Sequence, residues 1–114
     1  DECLVTVAAC LKQCLRRSAD IMFRYGGEEF CAILPETDSK GAFALAEELR
    51  ESVAACKVSY GGVVINLTIS CGTSTYLQQK DIQPEHLFAA ADQALYQAKN
   101  SGRNQVKQQD LLKI

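Results

Sequence analysis

A pair of adjacent glycines between two apolar runs is the feature that most limits how this chain can fold. Gly26 and Gly27 separate the runs at residues 21–25 and 30–34. A two-residue hairpin turn needs positive φ angles, which glycine adopts at little cost. The sequence therefore predicts a hairpin with Gly26 and Gly27 as its turn. The second run has almost no polar residue, so we expect a strand that is buried on both faces.

The remaining elements follow from apolar residues at helical or alternating spacing. Apolar residues spaced three or four apart predict three helices. The first covers residues 1–17, the second runs from an N-cap near Asp38 to residue 56, and the third runs from Pro84 to residue 100. Gly102 is the expected C-cap of the third helix. Runs rich in Val, Ile and Thr predict strands at 57–60 and within 63–76, and a short strand at 104–107. This order predicts one α/β domain over residues 1–107 with a tail at 108–114, built as a mixed, mainly antiparallel sheet covered by helices.

Charge and cysteine usage narrow the class of protein. The net charge of −2 predicts no nucleic-acid partner and no direct membrane contact, because both need a basic field. No run approaches the roughly 20 apolar residues of a membrane-spanning helix. The six cysteines contain no Cys-x-x-Cys pair and lie in apolar patterns. We interpret them as buried thiols of a cytoplasmic protein rather than as a disulfide or zinc framework.

Two carboxylates, Glu28 and Glu29, directly follow the glycine pair, and they have two interpretations. They could be solvated acids of a surface hairpin. However, the segment RYGGEEF resembles the signature of the GGDEF family, the diguanylate cyclases, in the variant with Glu at the third position. Two further stretches resemble family segments: ADQALYQAKNSGRN at 91–104 is similar to A-D-x-A-L-Y-x-A-K-x-x-G-R-N, and LTISCG at 67–72 resembles the strand T-x-S-x-G.

The resemblance implies a palm-like nucleotidyl-cyclase fold and a defined reaction. Members condense two GTP molecules into cyclic di-GMP with release of pyrophosphate, use Mg²⁺ or Mn²⁺, and act as head-to-head homodimers. By resemblance Glu28 is the metal ligand near the reacting 3′-OH, and Glu29 assists metal binding. Gly26 and Gly27 would let the nucleotide lie against the turn.

The segment at 91–104 has its own pair of candidate ligands. By resemblance Lys99 and Arg103 contact the nucleotide phosphates, although both could instead be surface charges that complement the helix dipole. Leu95 and Tyr96 are expected to be core residues. Thr68 and Ser70 are interpreted as small packing residues rather than catalysts.

A third group of candidates lies in the first twenty residues. Arg17 and Asp20 form an Arg-x-x-Asp pair that resembles the family's product-inhibition site, whereas an isolated pair of this kind is usually solvated. Arginine offers a planar fork to phosphate or guanine, and aspartate accepts from guanine N–H groups. Asp1 resembles the aspartate that recognises guanine, and it could equally be an ordinary helix N-cap.

One family motif has no counterpart in these 114 residues. The strand with Asp-x-Asp-x-Phe-Lys, whose first aspartate is a metal ligand, and the helix after it are missing. We therefore expect a fragment of a diguanylate cyclase that is inactive alone. Whether the parent protein is anchored to a membrane through another domain stays open. The alternative is a non-catalytic receptor that binds cyclic di-GMP or GTP.

Overall fold

A computed structural model describes residues 2–76 and 83–111 of the chain. Helices and strands alternate along it, as the sequence predicts. In chain order they are α1 (Glu2–Cys14), β1 (Ile21–Gly26), β2 (Glu29–Ile33), α2 (Ser39–Ala55), β3 (Lys57–Tyr60), β4 (Val63–Asn66), β5 (Cys71–Thr73), α3 (Pro84–Asn100) and β6 (Val106–Gln108).

Local signals in the sequence set the starts of two helices. Asp38 is the N-cap of α2, where its carboxylate accepts a hydrogen bond of 2.7 Å from the backbone N–H of Gly41. Pro84 begins α3, where a missing N–H costs nothing. Helix α1 packs against α2, and Val53 of α2 is fully buried.

The described strands form three separate two-stranded ladders rather than one continuous sheet. Strands β1 and β2 pair antiparallel, as do β3 and β4 around the turn at Gly61 and Gly62. Strands β5 and β6 pair in parallel. The predicted combination of helices with mainly antiparallel strands is therefore confirmed.

Helix α3 packs closely against β5. Ala90, Ala94 and Ala98 are buried on α3 and let the helix approach the strand closely. A Cβ at Gly72 would overlap the backbone N of Leu95 and the carbonyl O of Ala91. Only glycine fits this position without a shift of main chain, so β5 fixes where α3 lies.

The expectation that β2 is buried on both faces is wrong. Cys31 is half-buried, while Ala32 and Ile33 are exposed. On β1, Ile21 and Phe23 are exposed as well. The reason is that, within the described chain, the hairpin packs extensively only on itself.

The C-terminal residues run beside β5. The backbone N–H groups of Gln109 and Leu111 donate to the carbonyls of Thr73 and Thr75, both at 2.9 Å. Asp110 accepts from the backbone N–H of Thr75 at 3.0 Å. The predicted domain boundary at residue 107 stays a prediction. Within the described residues, no helix is both long and apolar enough to cross a membrane.

Candidate active site

The β1–β2 turn lies one residue later than the glycine pair predicts. Its central residues are Gly27 and Glu28, and β2 begins at Glu29. An irregularity in the pairing between Arg24 and Gly26 causes this shift. Glu28 is consequently an exposed residue at the tip of the hairpin and lies outside β2.

A hydrogen bond from Arg24 supports the turn, and the outer side of the turn is open to solvent. Arg24 donates a hydrogen bond of 2.7 Å from Nε to the carbonyl O of Gly27, whose φ of 53° favours glycine. A Cβ at Gly26 or Gly27 would meet no other atom within 4 Å. The turn therefore presents bare main chain to solvent.

Two contacts join the hairpin tip to α3. The rings of Tyr25 and Phe88 lie 4.9 Å apart between centroids. Lys99 Nζ lies 3.6 Å from Glu29 Oε2, and each side chain is more than a third exposed. Solvent screens such a pair, so its contribution to stability is about 1 kcal/mol at most. The ion pair leaves Lys99 accessible to a stronger anion.

A cavity of about 220 Å³ opens beside this ion pair, lined by Glu29, Asp92, Leu95, Tyr96 and Lys99. Tyr96 is 68% exposed, so the expectation that it is a core residue is wrong, whereas Leu95 is half-buried. Asp92 lines the cavity too, although the sequence motifs give it no role. The spacing of Asp92, Tyr96 and Lys99 is i, i+4, i+7, which is the signal of a shared helix face.

The end of α3 presents the second candidate cation. The backbone N–H of Arg103 donates to the carbonyl O of Ala98 at 2.9 Å, which is the long bond of a Schellman cap. Gly102 has a φ of 114°, and the expectation of a glycine at this cap is confirmed. Arg103 and Asn104 also have positive φ, at 62° and 48°. The Arg103 side chain is exposed one turn beyond Lys99.

Neighbouring side chains hold this left-handed segment in place. Ser70 Oγ accepts a hydrogen bond of 3.2 Å from the backbone N–H of Asn104. Arg50 donates from Nη1 to Asn104 Oδ1 at 3.1 Å. Ser70 thus has a structural contact, which connects the residues just before β5 to the segment that carries Arg103.

Arg17 and Asp20 lie close in sequence but face different surroundings. Arg17 donates from Nη1 to the carbonyl O of Glu36 at 3.1 Å and to Thr37 Oγ1 at 3.3 Å. The backbone N–H of Asp20 donates to the carbonyl O of Arg17 at 3.1 Å. Asp20 Oδ1 is buried and accepts no hydrogen bond from the described residues. A buried acceptor without a donor is costly, so a local movement that brings a donor to this oxygen would be favourable. Asp1 lies outside the described residues.

Glu28 and Glu29 are the carboxylates available to a metal ion near the turn. In the part of the chain that the structure describes, no three His, Cys, Asp or Glu side chains cluster as metal ligands. Mg²⁺ typically binds one or two carboxylates and completes its shell with waters and substrate phosphates. The two glutamates therefore fit a Mg²⁺ ion that arrives with a nucleotide.

Comparison with known proteins identifies the family. The pattern described as "Diguanylate cyclase, GGDEF domain" matches residues 1–105. The chain belongs to the GGDEF family. Among curated GGDEF proteins it is 43% identical over 107 residues to diguanylate cyclase A of Treponema denticola, covering 93% of this chain and 28% of that protein. It is 44% identical over 106 residues to DgcM of Escherichia coli, with 93% and 24% covered. The chain thus spans about a quarter of these relatives.

Solved GGDEF structures share the fold. The active GGEEF domain of a diguanylate cyclase from Vibrio cholerae matches with a TM-score of 0.81 and 32% identity, covering 95% of this chain and 67% of that one. The GGDEF domain of DgcB from Caulobacter crescentus, solved in complex with c-di-GMP, matches with a TM-score of 0.85 and 26% identity, covering 93% and 62%. The predicted GGDEF fold is confirmed.

Proposed function

We propose that this domain belongs to a diguanylate cyclase, which joins two GTP molecules into cyclic di-GMP and releases pyrophosphate. The observation that carries the proposal is the meeting of Glu29 and Lys99 beside an open turn of bare glycine backbone, within a GGDEF fold. Anionic and cationic side chains are both needed here, because a triphosphate must be bound together with its metal ion. GTP as substrate also implies a cytoplasmic location for the domain.

Lys99 of α3 and Arg103, just beyond the end of that helix, have the task of binding phosphate. Lys99 is held by a screened ion pair, so phosphate oxygens can displace Glu29 from it at small cost. Arg103 is exposed at the helix end and offers a bidentate fork. Charge on the departing pyrophosphate would be stabilised by both side chains.

The two glutamates have the task of holding the metal ion. Glu29 is released when phosphate takes its place on Lys99, which frees a carboxylate oxygen beside Glu28. Mg²⁺ or Mn²⁺, when bound, supplies positive charge to the phosphates and lowers the pKa of the attacking hydroxyl. Gly26 and Gly27 leave room for the nucleotide over the turn.

A single domain of this kind holds one GTP, so the proposed catalyst is a homodimer in which two sites face each other. The product, cyclic di-GMP, is proposed to inhibit by binding at Arg17 and Asp20. Asp20 Oδ1 is buried without a donor, and guanine N–H groups are donors of the right kind. Arg17 would exchange its contacts at Glu36 and Thr37 for the ligand.

The test is formation of cyclic di-GMP from GTP in Mg²⁺ by the full-length protein that carries this chain, with the product identified by mass spectrometry. Glu28→Ala is expected to lower turnover by roughly 100-fold or more, the usual effect of losing one group that stabilises transition-state charge. Lys99→Ala is expected to raise KM for GTP. Glu85→Ala, an exposed acid in the first turn of α3, is the matched control and should keep full turnover. The 114 residues alone are expected to be inactive.

The unpaired Asp20 oxygen also supports a second candidate, a receptor that binds cyclic di-GMP without making it. Wild-type protein with no turnover, but with cyclic di-GMP binding that Asp20→Ala abolishes, would establish the receptor. Turnover that Glu28→Ala leaves unchanged would refute the proposed active site.

A further inference from the structure

Two cysteines from distant parts of the chain lie in contact between α1 and the end of α2. Cys10 Sγ is 3.7 Å from Cys56 Sγ, although the residues are 46 positions apart. One helical turn further on, Cys14 Sγ lies 4.0 Å from Ser52 Oγ. Cys10 and Cys14 on α1 thus face Ser52 of α2 and Cys56, the residue that directly follows α2.

From this geometry we infer that Cys10 and Cys56 form a reversible dithiol–disulfide site that joins α1 to the end of α2. Cys10 and Cys56 are both thiols in the structure, so this is the reduced form. Neither residue belongs to the proposed active site. The site is a point at which thiol oxidation can modify the protein.

The atoms next to each thiol favour one disulfide among those that the six cysteines could form. Cys14 is as deeply buried as Cys10, but it faces the hydroxyl of Ser52 rather than a thiol. The Cys71 thiol points towards the carbonyl O of Ala46, at 4.0 Å. The contact between Cys10 and Cys56 therefore favours this disulfide over those with Cys14 or Cys71.

The backbone of Cys56 allows the two sulfurs to approach bonding distance. A disulfide needs about 2.05 Å between its sulfurs, so the present separation must shorten. Cys56 is the C-cap of α2 with extended backbone, at φ −80° and ψ 144°. Its thiol donates to the carbonyl O of Ser52 at 3.3 Å, so closing the disulfide exchanges this contact for the bond to Cys10. The regular backbone hydrogen bonds of the helix stay in place, because Cys56 lies just beyond the last helical residue.

Burial sets the order of the two chemical steps. Cys10 is only 5% exposed, and burial together with its neighbour Cys56 raises its pKa to about 11. Cys56 is half-buried and meets solvent first. The thiolate of Cys56 attacks a low-molecular-weight disulfide, forms a mixed disulfide and releases one thiolate. Cys10 transfers its proton to a departing thiolate and attacks Cys56 Sγ, which displaces the second small thiol.

The overall reaction conserves atoms and electrons. Two protein thiols are oxidised to one protein disulfide, and one small disulfide is reduced to two small thiols. A cytoplasmic thiol pool would keep the site reduced in the resting state. The bond would form when that pool becomes oxidised, and it would close a loop between Cys10 and Cys56.

The experiment treats the native, reduced full-length protein with oxidised glutathione, traps remaining thiols by alkylation, and maps disulfides by trypsin digestion and mass spectrometry. The expected product links the peptide that ends at Lys12 to that of residues 51–57. A parallel reaction in guanidinium gives the unfolded reference, in which closing shorter loops is favoured. The native product should also unfold at a higher denaturant concentration, and dithiothreitol should reverse the shift.

Serine variants identify which cysteine forms the disulfide with Cys56. The first peptide holds both Cys3 and Cys10, so Cys3→Ser must keep the link and Cys10→Ser must abolish it. Cys14→Ser is the matched control for a buried thiol on the same helix face and should also keep the link. The inference is overturned if native and unfolded chains give the same mixture of links. It is equally overturned if Cys56 stops at the glutathione adduct while Cys10 remains open to alkylation.

Discussion

Substitution of Gly72 by alanine is the sharpest test of how the fold positions α3. The added methyl would meet the backbone N of Leu95 and the carbonyl O of Ala91, and it would lie 2.8 Å from Leu95 Cα. These are main-chain atoms of a helix, which cannot rotate away as a side chain can. The whole of α3 would have to move off β5, and the buried contacts of Ala94 and Ala98 would be weakened.

The expected loss of stability follows from that geometry. Overpacking a core typically costs about 1–3 kcal/mol, and a clash with fixed main chain belongs at the upper end. Alanine restricts the unfolded chain more than glycine and recovers about 0.5–1 kcal/mol. The net expectation for Gly72→Ala is a loss of about 2 kcal/mol or more. With a urea m-value of about 2 kcal/mol/M, the unfolding midpoint falls by about 1 M.

The assay is equilibrium unfolding in urea, followed by circular dichroism, with Gly26→Ala as the matched control. A Cβ at Gly26 meets no atom within 4 Å, and its backbone lacks the positive φ of Gly27. That variant should unfold within about 0.5 kcal/mol of the wild type. A Gly72→Ala midpoint equal to that of Gly26→Ala would refute the close packing of α3 on β5.

Two further predictions concern stability. Asp38→Ala removes the carboxylate that caps α2 at Gly41 and should lower the free energy of unfolding by about 1 kcal/mol, measured in the same urea assay; an unchanged value would contradict the cap. Burial raises the pKa of the Cys10 and Cys71 thiols from 9.0 to about 11. Between these values the unfolded chain loses protons that the folded chain keeps, so under reducing conditions stability should be full below pH 9 and fall between pH 9 and 11. A midpoint that stays constant across this window would contradict the burial of these thiols.

The sequence predicts the fold best where the signals are local. The bounds of α3 agree with the prediction because Pro84 and Gly102 mark its two ends within a few residues. The turn at Gly27 was predicted one position early, since an irregular ladder pairing leaves no trace in composition. The exposure of Ile33 and Tyr96 depends on which surfaces other elements cover, and periodicity carries no information about that.

The same distinction applies to the candidate site. The motifs single out Glu29 and Lys99, but nothing in their spacing of seventy residues shows that the side chains meet at 3.6 Å. The contact depends on the tertiary placement of α3 beside the hairpin, which no local signal in either segment encodes. Cys10 and Cys56 are a second case, because two isolated cysteines in apolar patterns resemble ordinary core residues.

The left-handed backbone after α3 also affects which substitutions such a domain would accumulate during evolution. Arg103 has a φ of 62°, which lies in the left-handed backbone region. Glycine adopts this region at a lower energy cost than arginine. Replacing Arg103 by glycine would relieve this strain while removing the cation that we propose to bind phosphate. Losing arginine at position 103 and keeping it therefore have opposite effects on stability. A lineage that no longer needs the cation gains stability by losing it, whereas a lineage that keeps arginine does so under continued selection for its side chain.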